Sequence, residues 1–336
     1  MISVAIMSAV LSSCADSDTS GLTVEKDSHI VLIGNNLASR MMHFGHFETE
    51  MQMRYPEHNL FIRNMADPGN TPGFRPHSSR ESPWAFPGAE EFQDELAHES
   101  NSKGRYPTPD EWLTDLEADI ILAFFGYNES FEGEEGLENF RAELDAFIDH
   151  TISQNYNGDS SRAVQLAIVS PIAFEDLSDQ YDLPDGKQEN ANLAMYAKAM
   201  QEVAVENGVH FVDVFQPTQS WLEDSGENLT IDGFQLNDDG YRQLAPLLAD
   251  KAFGGKEVEA GQHRSLVRDA VMEKNWMWQN NYKIPNGVHV YGRRYEPFGP
   301  DNYPAEINKL REMTAIRDEA IWQATQGEEI DLAAAD

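Results

Sequence analysis

From Ser28 onward, short apolar segments alternate with amphipathic ones along the chain. The apolar segments are near-continuous runs of Val, Ile, Leu and Phe, which is typical of strands buried on both faces of a parallel sheet. They predict five strands at 29–33, 59–63, 119–125, 163–169 and 209–214. Between the later strands, apolar residues recur at three- and four-residue steps over 137–152 and 193–203, which predicts helices. The alternation predicts an α/β fold, a three-layer α/β/α sandwich around a five-stranded parallel sheet.

Two regions break this alternation. Residues 67–109 are rich in Pro, Gly, Ser and charge, which predicts a long connection that is either a functional loop or partly disordered. Beyond Lys256, aromatic residues crowd into a segment punctuated by Pro and Gly, and they either pack an irregular arm or form a carbohydrate platform: Trp276, Trp278, Tyr282, Tyr291, Tyr295, Phe298 and Tyr303. A final helix follows, with Pro304 in its first turn and one apolar side formed by Ile307, Leu310, Met313, Ile316 and Ala320.

The domain division follows from these changes of pattern. Residues 1–22 are interpreted as a signal with a lipobox and a linker, and 23–255 as the α/β domain. Residues 256–336 are interpreted as a C-terminal extension with a terminal helix, which packs on the main domain or on another chain.

The N-terminal residues form a short apolar run that ends in Leu11-Ser12-Ser13-Cys14. The run is too short to span a bilayer but long enough for the core of a signal peptide. Its end resembles a bacterial lipobox, which implies lipidation at Cys14 and a periplasmic or cell-surface lipoprotein. The run has no preceding Lys or Arg, and the alternative is a disordered N-terminus with an incidental cysteine.

Charge and cysteine content exclude several classes of partner. Lys+Arg 24 against Asp+Glu 58 gives a net charge of −34, which repels nucleic acid and anionic membrane surfaces. We therefore expect no nucleic-acid partner and membrane contact only through a lipid anchor. The single cysteine excludes an internal disulfide, a thiolate zinc site and a Cys-x-x-Cys-His haem attachment within this chain. No cofactor and no metal are expected.

The loops after the strands carry the candidate chemistry, because ligands of open α/β sheets bind beyond the carboxyl ends of the strands. These loops are Gly34-Asn35-Asn36-Leu37, the segment 63–71, Gly126-Tyr127-Asn128-Glu129-Ser130 and the segment 232–241.

In this order the loops resemble those of the SGNH, or GDSL-type, hydrolases over about residues 28–248. The resemblance implies a flavodoxin-like strand order. It assigns the oxyanion hole to Gly69 and Asn128, and the triad aspartate to Asp232. Asn36 stands where the family has its nucleophilic serine, and Gln235 stands where it has its general-base histidine.

Segments 33–37, 124–131 and 276–303 further resemble the SGNH-like module at the front of large haem-binding proteins of planctomycete type. In those proteins a haem-carrying part follows the module. The resemblance therefore implies a haem-binding partner domain that is absent from this chain.

Serine acyl transfer needs an oxygen nucleophile, a base and oxyanion donors. The carboxamide of Asn36 is not a competent nucleophile, and the amide of Gln235 does not titrate near neutral pH. We therefore expect a binding or assembly module for an acetylated or carbohydrate ligand. The alternative is an active esterase or carbohydrate O-deacetylase with a displaced nucleophile, acting on ester bonds.

Several residues in or near these loops are candidate substitutes for the missing nucleophile and base. Ser39 is one helical turn past the serine position, and its hydroxyl is expected to point away from it. His43, His46 and Glu50 have the spacing of metal ligands on a helix, although surface or packing histidines are the commoner outcome. Asp67 and Glu129 are expected to be either cleft carboxylates or solvated loop charges.

Overall fold

The computed structural model describes residues 21–77, 80–93, 106–224, 226–256, 258, 263–283 and 303–328. Its centre is a five-stranded parallel sheet in the order β2-β1-β3-β4-β5. The strands are β1 (His29–Gly34), β2 (Phe61–Asn64), β3 (Ile120–Phe124), β4 (Gln165–Val169) and β5 (His210–Val212). The α/β fold class and the flavodoxin-like strand order are confirmed, and each predicted strand boundary lies within two residues of the observed one.

Side chains that alternate along each strand fill two separate cores, because successive residues of a strand point to opposite faces. Ile30 and Leu32 of β1 lie in one buried cluster, whereas Val31 and Ile33 lie in the other. The first cluster is covered by the helices at 36–41, 46–54 and 238–253, and the second by those at 109–115, 133–153 and 264–282, while the helix at 187–206 contributes to both. The sheet is therefore buried on both faces, as its apolar runs predict.

The helices of the described residues comprise α1 (Asn36–Met41), α2 (His46–Arg54), α3 (Pro109–Asp115), α4 (Gly133–Ser153), α5 (Lys187–Glu206), α6 (Phe215–Asp224), α7 (Asp238–Phe253), α8 (Arg264–Tyr282) and α9 (Tyr303–Thr325). Short 3₁₀ turns cover Ala89–Phe92 and Glu129–Glu132. Within the described ranges, none of these helices combines the length and the apolar character needed to cross a bilayer.

The C-terminal extension packs directly on the α/β domain through α8. Trp278 is 2% exposed and donates its indole N–H to the carbonyl of Asn64 at 2.7 Å. The prediction of an irregular segment at Trp276 and Trp278 was wrong, because both lie inside a regular helix. The breaking residues begin only at Pro285, after the helix has ended. Tyr291, Tyr295 and Phe298 lie outside the described residues.

The final helix exists as predicted, and its buried side overlaps the predicted apolar side in part. Ala320 is buried as predicted, whereas Ile307, Leu310, Met313 and Ile316 are half-buried. The other buried residues of this helix include Thr314, Arg317, Asp318 and Ile321. The guanidinium of Arg63 binds both carboxylate oxygens of Asp318 at 2.9 and 2.5 Å, so an ion pair joins the helix to the sheet.

Candidate functional site

The turn after β1 presents Asn36 at the carboxyl edge of the sheet. Gly34 has φ +113°, and a Cβ there would lie 2.0 Å from the carbonyl oxygen of Phe124, so only glycine fits. Asn35 then caps α1, because its side-chain oxygen accepts the N–H of Leu37 at 3.2 Å. Asn36 is the first residue of the helix and is partly exposed. The turn therefore places a carboxamide where the family resemblance places a hydroxyl.

Asp232 and Gln235 form a closed hydrogen-bonded unit in the loop before α7. One oxygen of Asp232 accepts the backbone N–H groups of Phe234 at 3.1 Å and Gln235 at 2.7 Å. The other accepts the side-chain amide of Gln235 at 2.6 Å. Gln235 thus contacts Asp232 as the histidine of a triad would, but the nitrogen of its side-chain amide cannot accept a proton.

Asn128 lies against the loop that contains Gly69. Its amide donates to the carbonyl of Pro68 and to that of Asn70, both at 3.0 Å. Gly69 between them is exposed and faces open space. The structure brings the two residues of the predicted oxyanion hole together, yet both amide hydrogens of Asn128 are engaged with the loop. An oxyanion role for this pair stays a prediction.

Tyr127 connects the two halves of the site, and it was not among the residues singled out from the sequence. Its ring stacks on Phe234 with centroids 3.2 Å apart and an interplanar angle of 9°. Burial raises the pKa of Tyr127 to about 12, and the carboxylates of Asp232 and Glu189 add to the shift. The signal available in the sequence was its place in the loop Gly126-Tyr127-Asn128, directly after a buried strand.

The carboxyl of Glu129 is buried inside its loop, so its interpretation as a solvated loop charge was wrong. One oxygen accepts the N–H of Gly126 at 2.8 Å, and the other is inaccessible and has no hydrogen-bond partner among the described residues. Burial raises the pKa of Glu129 to about 8, and the neighbouring Glu143 and Glu132 add to the shift. This carboxyl is therefore held as a neutral acid at neutral pH.

Ser39 meets a partner that nothing in the local sequence indicates. Ser39 is 4% exposed, and its hydroxyl accepts a hydrogen bond from the ammonium of Lys283 at 2.6 Å. Lys283 follows the last residue of α8. Burial lowers the pKa of Lys283, while the carboxylate of Asp67 opposes this shift. The carboxylate of Asp67 therefore favours the charged form of a lysine that lies beside α1.

The helical histidines are not gathered into a ligand set. The imidazole of His46 lies 3.0 Å from the carboxylate of Asp238. Glu50 is occupied by Arg54 at 2.8 Å and by Arg264 at 2.7 Å. Within the part of the chain that the structure describes, no three His, Cys, Asp or Glu side chains are arranged to hold a metal ion. Cys14 lies outside the described residues, and its lipidation stays a prediction.

The central part of the chain matches the model of a known protein family. Residues 79–243 match the model of the GDSL-like Lipase/Acylhydrolase family. The matched region contains Asn128, Asp232 and Gln235, whereas Asn36 and Gly69 precede it. This region of the chain is therefore similar to the GDSL-like lipase/acylhydrolase family. No curated protein matches the chain.

Several solved structures resemble the fold. BT4096, a gut microbial diltiazem-metabolizing enzyme, has a TM-score of 0.49 at 14% identity over 70% of this chain and 49% of that one. Axe2, an acetylxylan esterase from Geobacillus stearothermophilus, has a TM-score of 0.47 at 13% identity over 71% of this chain and 100% of that one. LAE5, an α/β hydrolase from the metagenome of Lake Arreo, Spain, has a TM-score of 0.46 at 16% identity over 69% and 98%. The chain spans about half the length of BT4096 and nearly all of the other two.

Proposed function

We propose that this protein is an SGNH/GDSL hydrolase-like domain without the Ser-His esterase mechanism, which serves as a binding or assembly module for an acetylated or carbohydrate ligand. The observation that carries the proposal is the hydrogen bond of 2.6 Å from the Gln235 amide to Asp232. An amide in the place of the general base cannot take a proton from a nucleophile. With Asn36 at the nucleophile position, both reacting groups of the triad are absent together.

The expected residual chemistry is small. Enzymes that lose triad members retain only about 10³–10⁴-fold acceleration over water, from the oxyanion donors and substrate binding. Here even the Asn128 amide is engaged with the carbonyls of Pro68 and Asn70. Amides at the positions of both reacting groups favour ligand binding over turnover.

The proposal includes an exported location and a partner. The sequence at Cys14 resembles a lipobox, so the protein would be anchored by lipid at a cell surface or in a periplasm. The resemblance of segments 33–37, 124–131 and 276–303 to the planctomycete-type module supports assembly with a haem-binding domain. The lipid anchor is tested by the mass of the mature N-terminal peptide, which would carry an acylated Cys14.

A second candidate is an esterase or carbohydrate O-deacetylase with a displaced nucleophile. The contact of 2.6 Å between Ser39 and Lys283 favours it, because a lysine with a lowered pKa is the base in Ser-Lys catalysis. The 4% exposure of Ser39 weighs against it, since a substrate carbonyl has to reach the hydroxyl.

One set of variants separates the two candidates. We expect the parent protein to resist serine-directed phosphonates and to hydrolyse p-nitrophenyl acetate no faster than Ser39→Ala. The double variant Asn36→Ser with Gln235→His restores a hydroxyl and a base beside Asp232, so phosphonate labelling at position 36 is expected. Hydrolysis by the parent that is lost in Ser39→Ala would establish the displaced nucleophile instead.

The binding half of the proposal is tested separately on the parent protein. N-acetylglucosamine is titrated while the amide signals of the cleft loops are followed by NMR. We expect saturable shifts at Asn36, Gly69 and Asn128, with a dissociation constant on the order of millimolar. Shifts that are absent, or that spread evenly over the surface, would contradict a binding function at this cleft.

A further inference from the structure

Two cationic side chains and an imidazole lie beside the Asn36 turn. Arg40 follows Asn36 by four residues on α1, and His43 follows Arg40 by three residues in the turn after that helix. The hydrogen bond from Lys283 to Ser39 places the second cation against the same helix. This is a local concentration of positive charge in a protein whose net charge is −34.

These cations lack the counter-charges found elsewhere in the molecule. Lys283 donates to the hydroxyl of Ser39, and Arg40 donates to the carbonyl of Leu236 at 3.3 Å. The Nε of Arg40 is buried without a partner. Among the described residues, no carboxylate lies within ion-pair distance of Arg40 or Lys283. The hydrogen-bond partners of both cations are thus neutral groups.

The charges also act on one another. Burial lowers the pKa of His43, and the positive charges of Lys283 and Arg40 lower it further. The carboxylate that acts on Lys283 is that of Asp67, in the same loop as Gly69. A partly buried group of like charges is unfavourable unless an opposite charge joins it. A bound anion would supply that charge at the edge of the cleft.

We propose that Arg40, His43 and Lys283 form a subsite for the carboxylate of a small acidic ligand, such as a uronic sugar, whose ring would reach the Asn36 amide. The inference rests on the proposed binding function and names the class of ligand. A guanidinium and an ammonium are the groups that proteins use for carboxylates. The hydroxyls of a sugar ring add hydrogen bonds that an inorganic anion lacks, which offsets repulsion by the acidic surface.

The test compares D-glucuronate with D-glucuronamide, which has the same ring but no charge. By calorimetry we expect the parent to bind glucuronate about fivefold more tightly, which corresponds to about 1 kcal/mol. Lys283→Gln should abolish this preference, and Lys283→Arg should retain it. Asp67→Asn, which removes the opposing carboxylate, should increase it. The control Lys187→Gln changes an exposed lysine that pairs with Asp185, and it should leave the preference unchanged.

A readout on the unmodified protein keeps the test independent of how the variants fold. NMR titration of the His43 imidazole should show its pKa rising when glucuronate is added and not when glucuronamide is added. Equal binding of the two sugars, together with binding of N-acetylglucosamine, would overturn the carboxylate subsite and leave the proposed function standing. Failure of all three ligands to bind would overturn the binding function, and the subsite with it.

Discussion

Polar groups in two regions of this protein are satisfied in different ways. At the strand ends, the half-buried carboxylate of Asp232 accepts hydrogen bonds from amides alone, and the carboxyl of Glu129 accepts one from a backbone N–H. Beneath the C-terminal helices, two buried cations contact carboxylates. The ammonium of Lys274 contacts Glu48 at 2.7 Å, and Arg63 binds Asp318 through two hydrogen bonds.

The difference indicates that the ion pairs attach the C-terminal helices to the α/β domain. A buried ion pair offsets its desolvation cost only with good geometry and further hydrogen bonds, and Lys274 also donates to the carbonyl of Ile62 and to Asn275, both at 2.8 Å. These contacts join α8 to α2 and β2. At the strand ends, the groups that contact Asp232 are neutral amides, which is consistent with the proposed binding function.

The largest effect is expected from breaking the attachment. Lys274→Met leaves the Glu48 carboxylate buried without a cation, which should lower the free energy of unfolding by about 3–5 kcal/mol. Urea denaturation measures this loss. The control is Lys198→Met, because Lys198 is 76% exposed on its side chain and lies 3.7 Å from Glu202. That change should cost less than about 1 kcal/mol. Similar losses in the two variants would contradict the distinction between the regions.

The second effect concerns the unpaired carboxyl of Glu129, whose pKa is raised from 4.5 to about 8. The folded protein holds this proton across pH 5–7, whereas the unfolded chain releases it, so the parent is destabilised as pH rises through that range. Glu129→Gln removes the titration. Its stability relative to the parent should therefore increase by about 3 kcal/mol between pH 5 and pH 7. Urea midpoints at both pH values check this, and parallel changes in parent and variant would show that the carboxyl is ionised in the folded state.

The smallest effect is expected from the neutral hydrogen bonds of the cleft. Asn128→Ala loses two bonds to the Gly69 loop and should cost about 2 kcal/mol, whereas Gln235→Ala loses one and should cost about 1 kcal/mol. Thermal denaturation at one pH measures both. A loss larger for Gln235→Ala than for Asn128→Ala would show that the loop contacts of Asn128 do not form in solution.

The apolar runs alone predict the sheet, because a parallel strand that is buried on both faces has a continuous apolar sequence. The loops at the strand ends could also be identified in order, since a parallel sheet brings its carboxyl ends to one edge. The family resemblance of these loops assigns roles to Asn36, Gly69, Asn128 and Asp232, and those roles stay predictions. The helical period similarly predicted the existence of α9.

The pairing of the polar groups depends on the packed structure. Lys283 contacts Ser39 across 244 positions of sequence, and Lys274 contacts Glu48 across 226. Local periodicity carries no information about such distant partners, so it did not predict the burial of Arg317 and Asp318 on α9. For the same reason, the composition of the loop indicated a solvated charge at Glu129, whereas the packed chain buries this carboxyl without a cation. Burial and counter-charge are properties of the packed chain, and they decide which of these side chains remains available to a ligand.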